Sequence, residues 1–236
     1  MNQGDSRLAV DIHAAGYEEK RPIIRDVKFT VHAGQTVGLI GPNGAGKSTT
    51  IKSILSLLKH REGTVTFDGP VGRYAYVPEH PVVYEYLTLW EHLRLAAATF
   101  DMPEDRFAAR AEELLRQFRL ADARHELPAK FSKGMQQKLM LVVGFIVEPD
   151  IYIVDEPFIG LDPRATKDLL DFLAAERERG AGILMSTHVL DTAEKICDSF
   201  VLINGGSVVA QGTLSDVRQT AGNPEASLFE CFLALT

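Results

Sequence analysis

Cysteine is scarce in this sequence. Cys197 and Cys231 are its only two; they lie far apart and belong to no Cys-x-x-Cys or Cys/His cluster. A disulfide framework or a zinc site is therefore disfavoured, and two buried thiols are expected. Long apolar runs are missing too. The longest, LMLVVGFIV at 139–147, is about half of the ~18 residues a membrane span needs and reads as a buried helix. There is no long Lys/Arg block, and 25 basic against 32 acidic residues leave a net charge of −7. Non-specific binding to nucleic acid is disfavoured by that balance, so an anionic ligand would have to be held by local geometry. The opening residues MNQGDSRLAV lack the basic start and apolar stretch of a signal peptide. A chain that stays in the cytosol is expected. Internal repeats and low-complexity segments are absent as well.

What is present is an ordinary globular composition, with 45% hydrophobic and 24% charged residues. Its 236 residues suffice for one α/β domain with a well-buried core or for two small ones. RLAVDIH (7–13) and VKFTV (27–31) alternate like half-buried strands around a loop, and TVGLI (36–40) is a short apolar strand. Apolar positions Ile51, Ile54, Leu55 and Leu58 predict a helix over 47–59. GTVTF and YAYV are further strands separated by the turn-rich DGPVG (68–72). Residues 79–147 read as mostly helical, with helices in 87–100, in 103–118 behind Pro103, and from 132. After Pro149 the alternation returns. IYIVD (151–155) is a strand, 163–180 a helix opened by Pro163 and closed by Gly180, and GILMSTH (182–188) a strand. VLDTAEKIC is a helix, SFVLI and SVVAQ close the sheet, and 225–236 is a short amphipathic helix. The expected fold is α/β: a mainly parallel sheet with an N-terminal antiparallel part and a helical insert, binding its ligand beyond the carboxyl ends of the strands.

GPNGAGKST (41–49) fits Gly-x-x-x-x-Gly-Lys-Ser between a strand and a helix, the context in which that pattern cradles phosphate. Gly41, Gly44 and Gly46 let the loop turn its N–H groups inward, and the helix N-terminus adds partial positive charge. Lys47 can reach terminal phosphates and Ser48 can hold Mg²⁺. A Gly-rich turn that merely contains a lysine is the plainer alternative, and the flanking elements weigh against it. Asp155 ends an apolar strand, where its carboxylate emerges at the sheet edge as a candidate Mg²⁺ ligand through water. Glu156 follows and is the candidate to orient or deprotonate an attacking water. His188 ends another strand and could contact the γ-phosphate and that water.

FSKGMQQK (131–138) poses a separate question. Ser132 suits an N-cap, but Gly134 is a poor first-turn residue unless something must approach the backbone closely.

In this order the motifs resemble the ATP-binding subunit of an ATP-binding cassette transporter, a P-loop NTPase fold, over nearly the whole chain. They are the cradle, YVPEHP (76–81), FSKGMQQ (131–137), IYIVDEP (151–157), IGLDP (159–163) and STH (186–188). The stretch YVPEHPVVYEYLTLWEHL looks most like Ecs-type, ABC-2-like bacterial exporter cassettes. The resemblance implies one cassette over 1–236. Its ATP-binding core is 1–78 and 148–236 with a C-terminal tail, and its helical subdomain is 79–147.

By the same resemblance Gly41, Asn43, Gly44, Ala45, Gly46, Lys47, Ser48 and Thr49 contact ATP, and Tyr17 stacks on adenine. Ser48, Glu79 and Asp155 serve Mg²⁺, and Glu156 and His188 are catalytic. Ser132, Gly134 and Gln136 complete the ATP site of a second cassette, which would answer the question about Gly134, and Asp162 lies at the dimer seam. Two departures stand out: Phe-Ser-Lys-Gly-Met where Leu-Ser-Gly-Gly-Gln is usual, and Glu79 where a Gln is usual. The implied partners are a second ATP-binding subunit, expected to be identical, and a separate integral membrane permease at the inner face of the cell membrane, with no nucleic acid. The competing class is a cytosolic cassette ATPase acting on nucleic acid or ribosomes without a membrane partner.

Overall fold

The computed structural model describes residues 6–69 and 73–236. The extreme N-terminus and most of the DGPVG turn lie outside the described residues. Two sheets carry the fold. In the first, strand β1 (Ser6–Gly16) pairs antiparallel with β2 (Ile24–His32) on one side and β4 (His60–Phe67) on the other. In the second, six strands run in the order β5 (Tyr74–Val77), β6 (Ile151–Asp155), β7 (Gly182–Thr187), β3 (Thr36–Ile40), β8 (Ser199–Asn204) and β9 (Ser207–Gly212). All neighbours are parallel except β9, which returns antiparallel from β8. Strands β3, β6 and β7 are buried along their whole length, as continuous apolar runs in the centre of a parallel sheet should be.

Register decides where the chemistry gathers. Ile40 pairs with Thr187, and Asp155 pairs with Ser186. The carboxyl ends of β3, β6 and β7 therefore lie side by side at one edge of the sheet.

Helix α1 (Lys47–Ile54) follows β3. It stops short of the expected 47–59: Leu55 caps it and Ser56 turns left-handed at φ 58°. Leu58 is only partly buried, packed from outside the helix against the core between the two sheets. Between β5 and β6 come α2 (Leu89–Ala98), α3 (Glu104–Gln117), two 3-10 turns (Ala121–Ala123 and Pro128–Lys130) and α4 (Lys133–Phe145). This insert has no core of its own. Leu93, Phe107, Leu114 and Phe145 join one continuous apolar cluster with Tyr152 and Val154 of β6 and Phe172 of α5 (Pro163–Glu178). Phe145 stacks on Phe172 at 3.9 Å between ring centroids.

Long side chains stitch the same boundary. Arg110 of α3 donates to the buried Glu176 of α5 at 2.7 Å, and Arg119 reaches Asp168 at 2.6 Å. Helix α6 (Leu190–Ile196) follows β7, and the chain ends in α7 (Leu214–Ala221) and α8 (Leu228–Leu235). Sequence reading left α7 out, although its Thr213/Asp216 capping box is a readable start signal. Cys231 is buried and Cys197 partly so; burial pushes the Cys197 thiol up to about 12.

Candidate active site

The loop after β3 is shaped by neighbours that leave no room for side chains. A Cβ on Gly41 would sit 2.3 Å from the Ile203 carbonyl oxygen. Gly46 occupies the N-cap of α1 at φ 112°, a conformation open to glycine. Helix α1 has no side-chain cap and no acidic residue in its first turn. Its first N–H groups thus remain available to an anion, aided by the helix dipole. Lys47 is only 6% exposed. Its ammonium donates to the Gly41 carbonyl at 2.8 Å and lies 3.3 Å from Glu156 Oε1.

Glu156 follows β6 in a left-handed backbone conformation, φ 47°. Such a conformation is uncommon outside glycine, asparagine and aspartate and is held here by its surroundings. Its N–H donates to both the carbonyl and the Oγ of Ser186, each at 3.1 Å. The turn sends the carboxylate between two elements. One oxygen faces Lys47; the other is 2.8 Å from His188 Nδ1 and 3.3 Å from the His188 N–H. With Glu156 ionised, Nδ1–H is the donor and Nε2 remains open.

Asp155 is turned into the sheet edge instead. It is buried and accepts the Ser186 hydroxyl. Burial raises its carboxyl pKa, opposed by that hydrogen bond. Tyr76 on β5 is pushed up to about 12 by burial and by the negative charges of Asp155 and Glu79.

Lys47, Glu156 and His188 open into a cleft of about 510 Å³, which the buried Asp155 adjoins without lining. Asn43, Gly44, Gly46, Lys47, Ser48 and Thr49 line it together with Glu79, Glu156 and His188. The structure thus brings together the cradle, the carboxylate pair, Glu79 and His188 from four separate stretches of chain. Ala45 is buried behind the loop. Sequence reading missed Ile23 and Ile159, which also line the cleft and are half-exposed. Both sit in loops without periodicity, so no pattern marked them. It also missed Ser186, which binds Asp155 and Glu156 together and stands inside the quoted STH.

The remaining candidates lie elsewhere. Tyr17 is exposed and does not line the cleft; its hydroxyl accepts from Lys52 of α1 at 3.1 Å. Ser132 caps α4 and accepts the Met135 N–H at 3.3 Å. Gln136 donates to the Pro128 carbonyl. Asp162 caps α5 by accepting from Arg164 and Ala165, with Lys138 of α4 at 4.0 Å. Neither Ser132, Gly134, Gln136 nor Asp162 lines the cleft of its own chain. Gly134 also has a close neighbour within the chain. A Cβ there would be 3.1 Å from the Gly160 carbonyl oxygen.

Comparison with known proteins agrees with this geometry. The ABC transporter family model matches residues 24–159. ABC transporter ATP-binding protein YthP of Bacillus subtilis (strain 168) is 54% identical over 95% of this chain and 94% of its own length. ABC-type transporter ATP-binding protein EcsA of the same organism is 44% identical over 98% and 97%. A solved structure of the ATP-binding subunit of an ABC transporter superposes with a TM-score of 0.91 at 48% identity, covering 97% of this chain and 98% of that one. With the family model spanning residues 24–159 and relatives of this identity over nearly the whole chain, the chain belongs to the ABC transporter family as an ATP-binding subunit, one of its cassette ATPases.

Proposed function

We propose that this chain hydrolyses ATP·Mg²⁺ between two cassettes and drives a separate membrane-spanning subunit as part of an exporter. The observation that carries the reading is the Glu156 carboxylate, held between Lys47 and His188 at the mouth of the phosphate cradle. Lys47 bridges the Gly41 carbonyl and Glu156 Oε1. Once a triphosphate fills the cradle, the ammonium moves to it and Glu156 Oε1 is free to take a proton from water. His188 holds the other oxygen, so the carboxylate stays aimed.

The donor set suits Mg²⁺. Ser48 and Glu79 offer hard oxygen ligands at the cleft wall, with the Asp155 carboxylate adjoining Glu156. Among the described residues no three His, Cys, Asp or Glu side chains group as a metal site. The other ligands would thus be phosphate oxygens and water, as is usual for this ion. When bound, the ion supplies charge neutralisation on the phosphate oxygens.

The second cassette enters because the α4 start is half a site. Ser132 is exposed, and neither it nor Gly134 lines the cleft at the cradle. Ser132, Gly134 and the first N–H groups of α4 suit a γ-phosphate held by another copy, with Asp162 at the seam. A membrane subunit fits the segment before α2, where Val82, Tyr84 and Tyr86 stand 73%, 63% and 87% exposed. Among the described residues no helix is long and apolar enough to cross a membrane. The cassette would therefore sit at the cytoplasmic face through that subunit.

The test is Glu156→Gln. ATP binding should persist while turnover falls about 10²- to 10⁴-fold, the range for loss of a general base, and ATP should trap a dimer detectable by size exclusion. Normal phosphate release by this variant would reject the role.

A further inference from the structure

His92 is the fourth residue of α2 and is 5% exposed. Both of its ring nitrogens are engaged. Nδ1 is 2.8 Å from the Thr88 carbonyl oxygen, and Nε2 is 2.9 Å from the backbone nitrogen of Tyr84. A backbone N–H can only donate, so Nε2 must offer its lone pair. A carbonyl can only accept, so Nδ1 must carry the proton. One state of the ring satisfies both: neutral imidazole protonated at Nδ1.

The N–H that His92 accepts belongs to the segment bearing exposed Val82, Tyr84 and Tyr86. That segment has few other anchors. Leu87 N–H closes a turn on the Tyr84 carbonyl at 3.2 Å, and Val83 packs partly against the apolar cluster. The Tyr84 and His92 rings are tilted at 5.9 Å.

We propose that His92 is the positioning residue of the 82–87 segment and acts as a proton-sensitive latch. Neutral His92 holds the Tyr84 backbone and fixes how Val82, Tyr84 and Tyr86 are presented. A protonated ring would set N–H against N–H at the same 2.9 Å contact, lose its acceptor and release the segment. What the segment meets when presented rests on the membrane-subunit reading above; the latch itself does not.

The charged groups around His92 do not supply another acceptor for that N–H. The Glu91 carboxylate is committed to the Thr88 N–H and hydroxyl at 2.7 and 2.8 Å. Arg124, His125 and Glu126 lie in the stretch whose carbonyls, at Arg124 and Glu126, accept from Trp90 and Leu89. Of the neighbouring helices, α3 pairs its Glu104 with Arg94 of α2, and the charged side chains in the first half of α4 are Lys133 and Lys138, the latter beside Asp162. The segment's own titratable groups are Glu85 and the phenols of Tyr84 and Tyr86.

The experiment uses the ¹⁵N-labelled full chain without nucleotide. Ring nitrogen shifts report the His92 tautomer, and amide exchange, corrected for the intrinsic rate, reports protection at Tyr84. At neutral pH Nε2 should read as an unprotonated acceptor. As acid titrates His92, Tyr84 protection should fall roughly tenfold, the scale of one hydrogen bond. His92→Phe should show the same loss at every pH. His92→Gln, whose carbonyl can accept the N–H, should restore protection without the pH step. A proton on Nε2 at neutral pH, or Tyr84 protection that ignores the His92 titration in the wild-type chain, overturns the proposal even if the variants fail to fold. These readings involve neither ATP nor a partner. Their failure leaves the Glu156 assignment standing, and normal turnover by Glu156→Gln leaves the latch standing.

Discussion

The phosphate cradle and the start of α4 are both helix N-termini suited to phosphate, yet the chain treats them in opposite ways. At the cradle the key side chain is buried and saturated. Lys47 is tied to Gly41 and Glu156, and Glu156 in turn to Ser186 and His188. At α4 the body of the helix is anchored by fully buried Leu139, Leu141 and Val142, while its first residues project. Ser132 and Lys133 are exposed, and the one cap bond is long at 3.3 Å. On the proposed two-cassette reading, the difference separates the half of the site this chain builds alone from the half it would offer to a partner. Preorganised charge needs low dielectric and many partners, and the cradle has both. A surface that must meet another molecule has to keep its donors unspent.

Four substitutions can break or sharpen that contrast. The largest effect is expected at the projecting end. Ser132→Arg puts a long side chain where a phosphate would sit and should cut turnover about 10²- to 10³-fold, as for loss of a donor to a reacting oxyanion. ATP affinity of the monomer, measured by calorimetry, should barely change. A large affinity loss would mean that Ser132 serves its own chain.

Lys47→Ala attacks the other end. It should weaken ATP binding about 10- to 100-fold, since a charge-assisted hydrogen bond to phosphate is lost. It also strands Glu156 without its cation. Fluorescent-nucleotide titration checks this, and unchanged affinity would deny the cradle its role.

Tyr17→Ala asks whether the site extends past the cleft. Tyr17 is exposed beside α1 with Lys52 at its hydroxyl, and the family resemblance proposes it as a stacking partner for adenine. Loss of one aromatic–base stack should weaken ATP about tenfold. The same titration with an inosine nucleotide separates stacking from polar contacts.

The smallest and sharpest change is Gly134→Ala. Alanine favours a helix over glycine, but here its Cβ meets the Gly160 carbonyl oxygen at 3.1 Å. The two effects should nearly cancel, leaving stability within about 1 kcal/mol of wild type in a urea melt. Turnover should fall if phosphate must come close to that backbone. A destabilised but fully active variant would assign Gly134 to packing within the chain.

Much of this molecule was legible in its sequence for identifiable reasons. TVGLI and IYIVD are unbroken apolar runs that can be buried only at the centre of a parallel sheet, and the structure puts them there as β3 and β6. The cradle is local: nine adjacent residues and two flanking elements contain the whole signal. The helix from 47 was read too long because Leu55 and Leu58 keep the helical period while Ser56 breaks the backbone, and periodicity does not see a left-handed residue. Helix α7 escaped because Val217 is its one buried residue, too little for an apolar period.

Ile23, Ile159 and Ser186 were invisible as site residues, since each acts through neighbours far away in the chain. The sequence by itself determined the fold class, the phosphate loop and the identity of the carboxylates, because those depend on short-range pattern and residue chemistry. Only the tertiary structure decided that Glu156 turns toward Lys47 and His188 while Asp155 turns toward Ser186, and that the start of α4 does not line the cradle cleft. Those choices follow from strand register and one left-handed backbone angle, and both are set by contacts between residues 30 or more positions apart.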